Sequence, residues 1–312
     1  MSLLIKNPGI LTLLQDAGRF GQHSLGLTTG GPMDPLAFKW ANRLVSNDVN
    51  ATALEITVGG FKAEAKDDLV VALTGAKVDV KVNGQVQPQW QTLKLNAGDE
   101  LDIAYATEGC RIYLTVAGGF DVSNQFGSTS TVMREGIGGL DGKAISANEV
   151  LPIASPQDKS ISFKRLNDVP VYEQHVTLRV IPGYQEQEFS RHDQRMFFYN
   201  SFEVSDLADR MGYRLKGPKV NCKIQGILSE GICLGAIQVP ADGQPIILMN
   251  DRQTIGGYPK IGSVFSLDLA KLAQLTQGAS VQFEPISIDQ AHNLLHLAKH
   301  QFDNTQLEEV SQ

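Results

Sequence analysis

Five stretches of the chain place acids, arginines and hydroxyls beside glycine-rich backbone. LLQDAGRFGQHSLGL carries Gln15, Asp16 and Arg19, and TTGGPMDP carries Thr28, Thr29 and Asp34. GSTST, residues 127–131, offers Ser128, Ser130 and Thr131. LADRMGYRLKG carries Asp209, Arg210 and Arg214. NDRQTIGGYPKIG, Asn250 to Gly262, carries Asp251, Arg252, Gln253, Thr254, Tyr258 and Lys260. An arginine fork meets a carboxylate or phosphate at two points, and glycine lets backbone N–H groups approach the same anion. An aspartate beside an arginine either holds it in place or accepts a proton. These residue types share one chemistry, the binding of a small anion with proton handling. The candidate catalytic residues are therefore Asp16, Arg19, Asp251 and Arg252. The candidate substrate-binding residues are Gln15, Ser128, Ser130, Thr131, Arg210, Gln253, Thr254, Tyr258 and Lys260.

Each stretch also has a reading without function. Asp16 and Arg19 fit a local ion pair at a turn. GSTST fits a turn that satisfies its own backbone. Asp34 suits a helix N-cap, and Asp209-Arg210 suits a surface pair. Asp251-Arg252 is hardest to explain by packing alone. The pair follows the apolar run PIILM, and charges at the end of so apolar a strand need partners.

The elements that must position these residues are mostly strands. LVVALTG (69–75), KVDVKVNGQ (77–85), LKLNAGDELDIAY (93–105) and RIYLTVAGG (111–119) are rich in β-branched and apolar residues, with Gly, Asn and Asp as punctuation. KVDVKV alternates as a strand with one wet face does, and Asn83-Gly84 is a hairpin signal. Helices are expected over 34–47, 266–275 and 287–302. In the first, Asp34 caps and Pro35 takes the first helical position. A faint internal repeat links the halves. Residues 54–76 and 215–236 both end in Gly-Ala. A turn follows each, Asn83-Gly84-Gln85 and Asp242-Gly243-Gln244. Leu95-x-x-Gly98-x-x-Leu101-x-Ile103 then matches Leu275-x-x-Gly278-x-x-Val281-x-Phe283. The spacing leaves no room for helical crossovers, so the expected class is mainly β and mostly antiparallel: two related barrel-like domains with a few short helices. The expected limits are 1–155 for the first domain, 156–175 for a linker, 176–286 for the second domain and 287–312 for a C-terminal helix and tail.

The totals exclude several functions. The chain has 312 residues, 42% of them hydrophobic and 20% charged, with a formal net charge of −7. That is enough for a packed core and gives no basic stripe, so neither nucleic acid nor an anionic membrane is an expected partner. No apolar run approaches a membrane span, and Pro8 comes too early for a signal peptide, so the expected compartment is the cytoplasm. Cys110, Cys222 and Cys233 lack metal or redox spacing and read as reduced core thiols. There is no G-x-x-x-x-G-K-[ST] loop and no G-x-S-x-G elbow. GIGGLDG, 136–142, lacks the strand–turn–helix context of a dinucleotide loop and reads as a plain loop. His292, His296 and His300 share a helix face without a further ligand motif, so no metal site is expected.

QDAGRFG, GGPMDPLAFKWANRLVSN, ALEITVGG, GSTST, DRMGYRLKG and SEGICLGAIQVPADGQPIILMNDRQTIGGYPKIG together resemble the KipA family. That family is also called allophanate hydrolase subunit 2, or the biotin-dependent carboxyltransferase-like family. The resemblance spans about residues 3–285 and leaves out the C-terminal helix and tail. It implies a tandem pair of cyclophilin-like β-barrel domains. It also implies two partners, a KipI-like B-type subunit and an A-type subunit, in an ATP-dependent 5-oxoprolinase that uses Mg-bound ATP. In such an assembly Arg19, Arg210 or Arg252 would clamp a carboxylate or a phosphoryl group, and Asp16 or Asp251 would orient an arginine or accept a proton. GSTST would bind an oxyanion. Two other activities occur among the resembling proteins: carboxyl transfer from carboxybiotin to urea, and antagonism of a KipI-type kinase inhibitor. The family pattern often reads Gly-Ser-Arg-Ser-Thr where this chain has Thr129, which removes one positive charge from that candidate anion site.

Overall fold

A computed structural model of the chain describes residues 1–155 and 162–310. The described chain falls into two compact units. The first comprises Met1–Gln22 and Thr29–Tyr172 together with the tail from Gln306; the second comprises His23–Thr28 and Glu173–Thr305. Positions 156–161 of the expected linker lie outside the described residues. Positions 162–172 pack on the first unit, where Leu166 is buried.

The first unit holds two antiparallel sheets. Its strands are β1 (Ser2–Pro8), β2 (Leu11–Gln15), β3 (Ala53–Thr57), β4 (Gly59–Ala65), β5 (Leu69–Lys77), β6 (Val80–Val82), β7 (Gln85–Gln87), β8 (Thr92–Leu95), β9 (Glu100–Tyr105), β10 (Glu108–Val116), β11 (Val150–Pro152) and β12 (Lys164–Arg165). One sheet has the order β11-β1-β4-β9-β6-β7 and the other β2-β3-β10-β5-β8. Alternation explains the packing. Every second residue of β4 is buried, and Leu3, Ile5, Ile56, Phe61, Leu73, Ile112 and Leu114 join one apolar core. The turn at Asn83-Gly84 joins β6 to β7, with both residues at positive φ, as a two-residue hairpin requires.

The other face of β10 is polar and covered. Helix α1 (Pro35–Leu44) lies over it, capped by Asp34, whose side chain accepts from the Ala37 N–H at 3.0 Å. The Thr74 hydroxyl donates to the Ala37 carbonyl at 2.7 Å, and Tyr113 donates to Glu55 at 2.7 Å. The same Glu55 oxygen accepts the Met33 N–H at 2.8 Å, and the Tyr113 hydroxyl accepts the Asp34 N–H at 2.8 Å. Burial, then the Glu55 carboxylate, push the Tyr113 phenol well above its ordinary pKa, so it stays protonated and can donate. This buried network fixes the GGPMDP loop at the start of α1.

The second unit closes on itself. Its elements are β13 (His175–Pro182), α2 (Arg191–Tyr199), β14 (Phe202–Ala208), β15 (Gly212–Lys216), β16 (Glu230–Gly231), β17 (Ala236–Gln238), β18 (Ile246–Leu248), β19 (Ile255–Gly256), β20 (Lys260–Val264), α3 (Leu269–Ala273), β21 (Ser280–Pro285) and α4 (Ile288–Asn304). Seven of the strands form a closed barrel, β13-β20-β17-β18-β15-β14-β21, sealed by parallel pairing of β13 with β21. β16 and β19 form a separate two-stranded ladder. A last strand, β22 (Glu308–Glu309), pairs with β12 in the first unit, where Arg165 and Glu308 meet at 2.7 Å.

Helices α1, α3 and α4 lie where the spacing predicts them. Ser287 and Gln290 form a capping box on α4. α2 was not expected. Its sequence RHDQRMFFY has no clear apolar period, and the usable signal was Ser190 capping onto the Asp193 N–H. Of the described helices, none is long and apolar enough to cross a membrane. Two anchors of the internal repeat share a conformation. Gly75 and Gly235 have φ of +89° and +81°, and a Cβ on either would meet a backbone oxygen, Arg111 O at 2.2 Å or Val264 O at 2.9 Å. The Gly-Ala repeat therefore marks a close approach between strands that only glycine permits.

Candidate functional site

The expected residues gather in two groups, one in each unit. In the first unit, Asp16 follows directly on β2, and the GSTST loop surrounds its carboxylate. Oδ1 accepts from Ser128 Oγ at 2.5 Å, Ser130 Oγ at 2.6 Å and Gly18 N at 2.9 Å, and Oδ2 accepts from Thr129 N at 2.8 Å. Burial pushes the Asp16 pKa up, but the bonds from Ser128, Ser130, Thr129 and Gly18 outweigh it and hold the carboxyl below its ordinary value. The hydroxyls and N–H groups that the sequence marked for a bound anion are turned here onto the chain's own Asp16.

Arg19 is fully buried and points inward. Its Nε donates to Gln125 O at 3.0 Å, and its Nη2 donates to Ser130 O at 3.1 Å and Ser128 O at 3.4 Å. The local Asp16–Arg19 ion pair does not form, because each side chain turns to the GSTST loop instead. Gln15 bridges two strands of backbone, donating to Thr131 O at 3.0 Å and accepting from Gly31 N at 3.1 Å. Thr129 is 9% exposed and shares a 2.8 Å hydroxyl contact with Thr52.

Gly138 closes the cradle from behind. Its φ is +76°, and a Cβ there would lie 1.8 Å from Ser130 O and 3.1 Å from Arg19 Nη2. Gly138→Ala is therefore expected to push the 128–131 loop away from Asp16 and to lower the thermal midpoint by several degrees. A scanning-calorimetry trace superimposable on the wild type's would show that the loop has slack that this geometry lacks.

The second group explains the charges at the end of the apolar strand. β18 runs into Met249, which is buried, and the next three residues stay buried because each has a partner. Arg210 embraces Asp251 from two points, Nε to Oδ2 and Nη2 to Oδ1, both at 2.9 Å. Arg252 turns to the backbone, with Nε on Ile232 O at 3.1 Å and Nη1 on Met249 O at 3.4 Å. Burial lowers the Arg252 pKa, and the neighbouring Asp251 carboxylate opposes the shift. A guanidinium has five N–H groups, so Arg252 keeps donors beyond these two bonds. Gln253 is exposed, Thr254 is half-buried, and Tyr258 is 48% exposed beyond the β16–β19 ladder.

Lys260 opens β20 and is 9% exposed, with its ammonium on Glu230. Glu230 also accepts from Tyr184 at 2.6 Å and Gln185 at 2.8 Å. The Lys260 bond, then the Tyr184 bond, hold the Glu230 carboxyl below its ordinary value. Sequence reasoning singled out Lys260 but missed Glu230, Tyr184, Gln185 and Gln238. The available signal was a glutamine in the apolar stretch GAIQVP, where a strand interior calls for an apolar residue.

Two expectations change. Asp209-Arg210 is not a surface pair: Asp209 caps the 209–212 turn through the N–H groups of Met211 and Gly212, while Arg210 goes inward to Asp251. Cys233 is not a core thiol; it is exposed beside Ser263, because Ile232 takes the inward position before it. Cys110 is buried and Cys222 half-buried. His292, His296 and His300 are exposed on α4, and the described residues contain no group of three or more metal-binding side chains.

Known proteins share both the sequence and this architecture. The C-type subunit of 5-oxoprolinase from Escherichia coli is 37% identical over 290 residues, 93% of each chain. The protein of the same name from Haemophilus influenzae is 36% identical over 282 residues, 90% of each chain. The crystal structure of the Kluyveromyces lactis urea carboxylase superposes with a TM-score of 0.90 at 29% identity, covering 99% of this chain and 30% of that longer one. The family pattern of the carboxyltransferase domain, subdomain A and B, matches residues 25–285. This chain belongs to that carboxyltransferase-domain family, alongside the C-type subunits of 5-oxoprolinase.

Proposed function

We propose that the chain is the C-type subunit of an ATP-dependent 5-oxoprolinase. It acts with a KipI-like B-type subunit and an A-type subunit to open 5-oxo-L-proline to L-glutamate. The observation that carries this reading is the 37% identity to a C-type 5-oxoprolinase subunit across 93% of both chains. The chemistry explains the need for ATP. A five-membered lactam is resonance-stabilised, and water attacks it poorly; phosphorylation of the amide oxygen makes the carbon electrophilic and the oxygen a leaving group.

The candidate cations are already engaged within the chain. Arg19 and Arg252 point N–H groups at backbone carbonyls, Arg210 at Asp251, and Lys260 at Glu230. The N–H groups of Thr129 and Gly18 already hold Asp16. In this proposal ATP and Mg bind on a partner protein, and the present chain binds and orients the lactam. The remaining N–H groups of Arg252, and Lys260 on exchanging its bond to Glu230 for the ligand, supply positive charge to the substrate carboxylate. Arg210 and Asp251 hold the strand end that carries Arg252.

The test is glutamate release from 5-oxo-L-proline and ATP by the three-protein assembly. Lys260→Met is expected to lower kcat/KM about tenfold to a hundredfold, in line with the loss of a charged hydrogen bond of about 1.5–3 kcal/mol. An intact trio that releases no glutamate above background overturns the reading. The superposition on urea carboxylase favours a second reading, carboxyl transfer from biotin on a separate carrier to a urea-like amide. Carboxylation of urea by the chain with a carboxybiotin donor would establish it.

A further inference from the structure

Gln238, the last residue of β17, is 6% exposed. Among the described residues its side chain makes no hydrogen bond. Gln15 and Gln185 behave differently. Both ends of Gln15 are bonded, and Gln185 donates to Glu230 while accepting from Lys260 N at 2.8 Å. A carboxamide carries two donors and a two-lone-pair acceptor, and the polar ends of Gln238 reach solvent rather than being sealed, so a largely enclosed side chain whose bonding capacity goes unused within the chain needs a reason.

Its surroundings supply one. The Gln238 Nε2 lies against Gly256, where a Cβ would come within 2.8 Å of it and 2.5 Å of Ile232 Cδ1. Only glycine keeps that edge of the amide open. Across the barrel ladder Gln238 is in register with Lys260, and cross-strand partners project to the same side of a sheet. Glu230, which holds the Lys260 ammonium, is in turn the register partner of Gly256. One end of the barrel therefore carries a carboxamide unbonded within the chain, in register across a β-irregularity with the lysine of the Lys260–Glu230 ion pair.

We infer that the Gln238 carboxamide recognises a cis-amide, a ligand with N–H and C=O on the same edge. A primary carboxamide presents the complementary C=O and N–H in one plane, so the two edges meet in a reciprocal pair of hydrogen bonds. Lactams and ureas have such an edge; simple carboxylates and phosphates do not. Gln238 reads the amide edge, and Lys260 reads a carboxylate attached to it. The inference rests on the proposed function only in naming 5-oxo-L-proline as the lactam, because urea offers the same edge.

The experiment is ligand-observed NMR titration of the full chain with three probes. These are 5-oxo-L-proline, cyclopentanecarboxylate (a ring of the same size and charge without the amide) and urea. Wild type is expected to prefer 5-oxo-L-proline to cyclopentanecarboxylate. Gln238→Leu is expected to weaken 5-oxo-L-proline about 10- to 100-fold and to leave cyclopentanecarboxylate within about twofold. Gln238→Glu keeps the shape and loses the NH2 donor, and is expected to fall with it; Lys260→Met weakens both acids. Unchanged 5-oxo-L-proline binding in either Gln238 variant with a wild-type unfolding midpoint overturns the inference. Equal wild-type affinity for the two acids overturns it without any variant. Gln238-dependent binding of urea but not of 5-oxo-L-proline upholds the amide reader and removes the 5-oxoprolinase reading. A wild-type chain that binds neither cis-amide overturns the inference whatever the glutamate assay shows.

Discussion

Asp251→Ala is expected to destabilise the second unit by about 3–5 kcal/mol, the usual loss when one partner of a buried ion pair is removed. Both carboxylate oxygens are taken by Arg210 at 2.9 Å, and the two side chains are 7% and 9% exposed. The backbone adds to the tie, because Asp251 N donates to Arg210 O at 2.8 Å. Alanine would leave a buried guanidinium without its carboxylate at the point where β18 ends. Arg210→Lys keeps the charge and loses the two-point fork, so it is expected to recover only part of the loss. The double change Arg210→Met with Asp251→Leu is expected to be more stable than Asp251→Ala alone, since it removes both buried charges. Urea unfolding of the three variants measures this. A loss below about 1 kcal/mol for Asp251→Ala would mean that the pair behaves as a surface salt bridge.

Asp16→Asn is expected to cost about 2–4 kcal/mol at neutral pH, because hydrogen bonds to a charged acceptor contribute about 1.5–3 kcal/mol each and the asparagine NH2 would face a donor. Four donors converge on the carboxylate, two hydroxyls and two N–H groups. The effect carries a pH signature. The folded carboxyl lies below its ordinary value of 3.8, so its contribution is complete above that value and is lost as pH falls through the lower folded one. The stability gap between wild type and Asp16→Asn is expected to be constant from pH 7 to about 5 and to shrink below about 4. A gap that stays constant to pH 3 would show that the cradle does not depend on the charge.

Much of the fold was legible along the chain because its causes are local. The runs 69–75 and 111–119 became β5 and β10, Asn83-Gly84 became a hairpin, and Asp34-Pro35 opened α1. α2 was hidden because tertiary packing, Phe197 stacking on Phe283 at 4.2 Å, supplies what its own periodicity lacks. The candidate site was legible by residue type and not by partnership. Asp16 and GSTST both read as parts of an anion site, yet they meet each other across more than 110 positions. The charge at 251 signalled a partner without showing that it was Arg210. Gln238 gave no signal beside Lys260, since a cross-strand register cannot be seen in spacing alone.

The parallel seam between β13 and β21 has a consequence for how this protein meets others. With the first and last strands of the barrel joined, that sheet has no exposed row of backbone donors and acceptors, so another chain cannot extend it by adding a strand. The short β16–β19 ladder keeps open flanks, and Leu228 at 93% and Ile255 at 60% exposure stand beside it. Any strand added to this unit would have to pair with that ladder, on the side that carries Glu230, and not with the barrel wall.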